Sequence, residues 1–159
     1  MGQDFFPKKL EREDQDMSEF SRFMKANKMV KENEKHIVTE SLRDENGKPL
    51  EWEFRHISSK ENEEIREQCT IDVPVTGKPN VYRPRLKSAE YIRKMIAASI
   101  EYPDLYDAQL QDSYGVMTPE DLLLEMVDDP GEYNMLAEYV QKFQGFQSSF
   151  QEKVDEAKN

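Results

Sequence analysis

The sequence predicts an α+β fold, with β-hairpins and short helices in the N-terminal part and a multi-helix C-terminal half. Three observations carry this. A turn signature, Asp44-Glu45-Asn46-Gly47-Lys48-Pro49, lies just before the alternating apolar and polar residues of 50–55. From Ser88 onward the apolar residues recur at helical i, i+3, i+4 spacing. Strands precede helices without βαβ alternation, which argues for segregated rather than interleaved elements.

Residues 1–17 are mostly charged, with Phe5, Phe6 and Leu10 as the large apolar groups, and read as a mobile N-terminal arm. Residues 18–154 read as a single α+β domain, its hairpin half over 18–87 and its helical half over 88–154. Residues 155–159 read as a flexible tail. A short helix over 18–28 carries Phe20, Phe23 and Met24 as a narrow stripe.

The first hairpin spans Lys35 to Ile57. A two-residue Asn46-Gly47 turn would pair Ile37 with His56, Thr39 with Phe54 and Ser41 with Trp52. That register buries Leu50, Trp52 and Phe54 and leaves Glu51, Glu53 and Arg55 wet. Ser58 and Glu61 form a capping box for a helix to about Thr70, with Ile65 and Cys69 inward. A looser hairpin follows over 71–87, turning at Thr76-Gly77-Lys78-Pro79. Its Pro74 and Pro84 restrict it to edge strands or an extended loop.

Ser88 is expected to cap a helix holding Tyr91, Ile92, Met95, Ile96 and Ile100, a wide apolar face. The Tyr102-Pro103 step ends it. Asp104 is expected to cap a short helix that closes at Gly115. Thr118-Pro119-Glu120-Asp121 has an N-cap, a proline at N1 and acids in the first turn, so another helix starts there. Asp129-Pro130-Gly131 is expected as a turn. The last helix then runs from Glu132 towards Val154, with Gly145 weakening it midway by about 1 kcal/mol relative to Ala.

Composition bounds the function. The chain has 159 residues, of which 36% are apolar and 35% charged, with a net charge of -11. The imbalance is local: residues 1–100 hold 19 acidic and 19 basic side chains, while 101–159 hold 14 acidic and 3 basic ones. An acidic surface repels nucleic acid and anionic membrane, so neither is expected as a partner. The sequence shows no signal peptide and no apolar run near the ~20 residues that span a bilayer. Its single cysteine, Cys69, excludes an intrachain disulfide and points to a reducing compartment.

Catalytic and metal chemistry find little footing. His36 and His56 fall on one hairpin, but no Cys or acid completes a four-ligand site, so no metal and no cofactor is expected. Cys69 reads as a buried helix-end thiol. A phosphate-binding glycine loop and a nucleophile elbow are both missing from the sequence. The acids sit on polar helix faces rather than as a paired acid and base. Arg83, Arg85 and Lys87 beside Tyr82 form a small basic cluster that the overall charge opposes as a nucleic-acid site. What is left is binding. Eight methionines, several on apolar helix faces, suit core filling or an adaptable surface. The sharper candidates are Phe143, Phe146 and Phe150, which continue an apolar stripe past Gly145, with Met135 and Val140 on the same helix.

The block Tyr102-Pro103-Asp104-Leu105, Leu110-Gln111-Asp112-Ser113-Tyr114-Gly115-Val116-Met117, Thr118-Pro119-Glu120-Asp121-Leu122-Leu123 and Pro130-Gly131-Glu132-Tyr133 resembles the XkdN-like tail assembly chaperones of phages and prophages. Trp52-Glu53-Phe54-Arg55 and Ser88-Ala89-Glu90-Tyr91-Ile92 extend the resemblance, which covers roughly residues 18–146. It implies a non-enzymatic protein that binds the tape measure protein and keeps it soluble while tail tube subunits polymerise around it. It implies a host-cytoplasmic protein absent from the mature virion. It also implies a longer, frameshifted form that recruits the tail tube protein, and Ala157-Lys158-Asn159 permits a slippery codon run near the end. The alternative reading is a structural tail or head-completion component retained in the particle.

Overall fold

The computed structural model describes residues 19–146. The chain divides into two units, Met1–Lys31 and Glu32–Asn159. In the first, residues 19–21 are helical and Lys25–Asn27 form a 3₁₀ turn. The longer helix expected over 18–28 gives way because the next N–H groups bond three residues back, Phe23 to Phe20 and Met24 to Ser21. The Asn27 amide then takes the Ser21 carbonyl at 2.7 Å.

The second unit is α+β. Strands β1 (Glu34–Ile37), β2 (Glu51–Phe54) and β5 (Ile100–Tyr102) form an antiparallel sheet in the order β1-β2-β5. Strands β3 (Thr70–Pro74) and β4 (Tyr82–Leu86) form a separate hairpin. The helices are α1 (Ser59–Gln68), α2 (Ser88–Ser99), α3 (Ala108–Ser113), α4 (Pro119–Met126) and α5 (Pro130–Phe143). Trp52 and Phe54, on the central strand, are fully buried with Met95, Ile96, Leu105, Leu122, Leu123, Leu136 and Val140. β5 was not anticipated. The chain leaves α2 at Ser99 and pairs at once with β2, Arg55 N–H donating to the Ser99 carbonyl at 2.8 Å.

The first hairpin corrects the expected register. Phe54 pairs with Glu34 rather than Thr39, and Trp52 with His36 rather than Ser41. The shift is five residues, an odd number, so it turns β1 over. Glu34 and His36 share the core-side face with Phe54 and Trp52, and Ile37 is exposed. Two causes are visible. The tip is a three-residue turn: Asp44 N–H donates to Lys48 O, Gly47 N–H to Asp44 O, and Gly47 takes φ +78°. Below the tip, residues 38–41 leave the ladder to meet α5. Thr39 Oγ1 donates to Glu132 Oε1 at 2.7 Å, and Glu40 N–H to Glu132 Oε2 at 2.8 Å. Leu50, expected inside, is exposed as a result.

Several elements form as the sequence reads. The Ser58–Glu61 capping box is complete, Ile65 and Cys69 are buried, and Thr118 caps α4 with Pro119 at N1. Three caps lie elsewhere. Lys87, not Ser88, is the N-cap of α2, and no side chain caps that end. Asp107, not Asp104, caps α3, and Asp104 instead accepts from Tyr106 N–H. Asp129 is the N-cap of α5 with Pro130 inside the helix, so that tripeptide starts the helix rather than turning before it.

The β3–β4 hairpin handles its edges with proline. Val75 N–H donates to Val81 O and Lys87 N–H to Cys69 O. With the pairing of Ile71 to Arg85 and Val73 to Arg83, this makes 70, 72, 74, 82, 84 and 86 the outward-facing positions. Pro74 and Pro84 fall on two of them, where a missing N–H breaks no ladder bond and denies a third strand its donors.

Candidate protein-binding surface

The site expected on the last helix is shaped by how α5 packs. Leu136 and Val140 enter the core. Tyr139 and Phe143, one turn apart, lie on the first sheet. His36 stacks on Tyr139 at 3.7 Å with planes 3° apart, and His56 stacks on Phe143 at 3.9 Å. Phe54 meets Tyr139 edge-on at 5.1 Å and Phe143 at 6.5 Å. Burial depresses the His36 pKa below its usual value, partly opposed by Glu34. Burial pushes the Tyr139 phenol up to about 12, with Glu34 adding to the rise. Both histidines are therefore committed to ring stacking.

α5 ends sooner than expected. Gly145 takes φ +84°. Its N–H donates to Lys142 O at 3.0 Å, and the Phe146 N–H donates to Gln141 O at 2.8 Å. This is a Schellman motif, so Gly145 is the helix's stop signal and not a weak point inside it. The cap residue ties the end down. Gln144 Nε2 donates to Arg55 O at 2.9 Å and to Ser99 Oγ at 2.8 Å, and its Oε1 accepts from Ile57 N–H at 3.1 Å. One amide thus joins the end of β2, the end of α2 and the end of α5.

The five candidate residues are consequently in different surroundings. Val140 is buried and faces the core. Phe143 is half-buried against His56. Met135 is 70% exposed and Phe146 39% exposed. Phe150 lies outside the described residues. Phe146 also borders an apolar groove of about 230 Å³ with Leu86, Tyr91, Ile92, Met95 and Gln141. The sequence shows the wide apolar face of α2 but not this groove; the Tyr91–Met95 stretch of that face is the signal that could have found it. Tyr91 is held by Asn62, which accepts from its hydroxyl, and by Arg66, whose guanidinium lies 5.8 Å from the ring.

Cys69 is buried, and burial pushes its thiol pKa up, away from the reactive thiolate. A broader cleft of about 870 Å³ lies where the second hairpin meets the start of α2. Its Lys87 and Lys94 are paired with Glu90 at 2.9 Å and Glu120 at 3.8 Å. Among the described residues, no three His, Cys, Asp or Glu side chains are grouped to hold a metal, and no helix is long and apolar enough to cross a membrane.

Residues 20–158 match the family model of the phage XkdN-like tail assembly chaperone protein. The chain belongs to that family. This chaperone also shares its fold with the crystal structure of the protein YqbN, at 17% identity and a TM-score of 0.66, covering 80% of this chain and 96% of that one. No curated protein matches it. The family is one of chaperones and is not a known enzyme class.

Proposed function

We propose that this chaperone binds the tape measure protein of its phage and keeps that long helical chain soluble while the tail tube assembles around it. It acts in the host cytoplasm, by binding rather than catalysis, and leaves before the virion is complete. A longer, frameshifted form would bring in the tail tube protein. The observation that carries the reading is the apolar groove beside Phe146; the exposed Met135 lies further up α5 and is not part of its lining. A groove lined by Met, Tyr, Ile and Leu accepts the apolar stripe of a helix without demanding one sequence.

The test is co-expression with the long helical protein encoded just downstream, followed by pull-down and a solubility assay. The client is expected to become soluble only in complex. Phe146→Ser with Met135→Ser is expected to weaken the pull-down at least tenfold while leaving the melting temperature within about 2 °C, because surface changes have small effects on stability. A client that neither binds nor gains solubility would sink the proposal. Recovery of the chain in purified particles would move it to a structural tail or head-completion role.

A further inference from the structure

The apolar groove beside Phe146 opens where the described chain ends. Phe146 is the last described residue and part of the groove's wall. Its N–H bond to the Gln141 carbonyl fixes it there, and Gln141 lines the same groove. Residues 147–159 therefore start at the groove itself. At about 230 Å³ the groove is smaller than the ~300–1,000 Å³ of a small-molecule pocket, and suits the side chains of a peptide segment.

The segment that starts there supplies such side chains. Phe150 and Val154 follow Phe146 at four-residue intervals and are the large apolar residues of 147–159. Charge agrees with the spacing. Glu152, Asp155 and Glu156 outnumber Lys153 and Lys158. Arg66 is the one charged residue lining the groove. Leu86 and Ser88 line both this groove and the broader cleft at the start of α2. In that cleft Glu90 and Glu120 are paired with Lys87 and Lys94, which leaves Arg85 and Arg93 against Asp121. Arg93 Nε is buried and has no hydrogen-bond partner among the described residues. A net acidic, apolar segment thus begins at an apolar groove whose surroundings are net basic.

We propose that residues 147–159 seat Phe150 and Val154 in this groove of their own chain, so that the chaperone covers its client site until a client displaces the segment. A short tether holds the segment at an effective concentration of about millimolar, so even weak contacts fill the groove. A client binds only the open fraction of chains, and its apparent affinity falls in proportion. The blocking role rests on the client-binding reading above; the seating of the segment does not.

NMR of the full chain with labelled Ile and Leu methyl groups tests the seating without any client. Cross-relaxation peaks are expected from the Phe150 ring to the Ile92 and Leu86 methyls. They should persist when labelled chain is diluted into an excess of unlabelled chain. Phe150→Ser with Val154→Ser should shift both methyl resonances and leave the rest of the spectrum unchanged. Absence of the peaks overturns the proposal, and so does their loss on dilution, which would put the segment on another copy. The same variant is then pulled down with limiting amounts of the long helical protein encoded just downstream. It is expected to retain at least threefold more of that protein than the wild-type chain, because the competitor is gone. Equal or weaker retention overturns the blocking role. If neither chain retains that protein while the peaks are present, the client-binding reading and the blocking role fail together and the seating stands.

Discussion

Gln144→Ala tests whether one side chain holds the end of α5 to the sheet. The substitution removes three hydrogen bonds and leaves the Arg55 carbonyl and the Ile57 N–H without their partner. Ser99 keeps its bond to the Met95 carbonyl at 2.7 Å, so its hydroxyl is not orphaned. Two backbone groups losing a partner at a half-buried site cost about 1 kcal/mol each, or about 2 kcal/mol together. The folded body is about 130 residues, for which the unfolding entropy is roughly 0.27 kcal/mol/K, so the melting temperature should fall by about 7 °C. The assay is thermal unfolding by circular dichroism at neutral pH. Gln144→Glu is the companion: it retains an acceptor for Ile57 but cannot donate to Arg55, and should be no more stable than the alanine variant. A shift under about 2 °C for Gln144→Ala, or wild-type stability in Gln144→Glu, would refute the reasoning, since water would then serve those groups equally well.

Other outcomes follow from the same geometry. Gly145→Ala forces a side chain into φ +84° and should cost about 1 kcal/mol, read as a lower denaturant midpoint with unchanged slope. His36 is kept neutral by burial, so the unfolded chain binds more protons once pH drops below the ordinary value of 6.5. Stability should therefore fall as pH falls through 6.5 and level off below the depressed folded pKa. A His36→Phe variant, which keeps a ring against Tyr139, should lose less stability between neutral and mildly acidic pH than the wild type. Glu61 holds Arg55 with bonds of 2.7 and 3.0 Å and completes the α1 capping box. The Arg55 hydrogen bond draws its pKa below 4.5, so its contribution is present above that value and is lost as pH falls through the depressed one. Glu61→Gln should cost about 1 kcal/mol at neutral pH after allowing for its partial exposure, and the gap from wild type should close in acid.

The sequence by itself determined whatever depends on near neighbours. The capping box at Ser58, the N-cap at Thr118, the buried Ile65 and Cys69, and the α2 and α5 stripes were all legible, because capping and 3.6-residue periodicity act within a turn or two of helix. So were the family block over residues 102–133 and the burial of Trp52 and Phe54. Contacts across the chain were decided only by the tertiary structure. The register of β1 turns on Thr39 and Glu40 bonding to Glu132, 93 and 92 residues away. The third strand of the sheet exists because Ser99 meets Arg55. Phe143 and Val140 were drawn inward by His56 and the core, while Met135 and Phe146 stayed outside, although all four sit on one apolar stretch of sequence. Local pattern sets which residues are apolar and which elements form. Which apolar side chains remain available to a partner depends on what the rest of the chain has already covered.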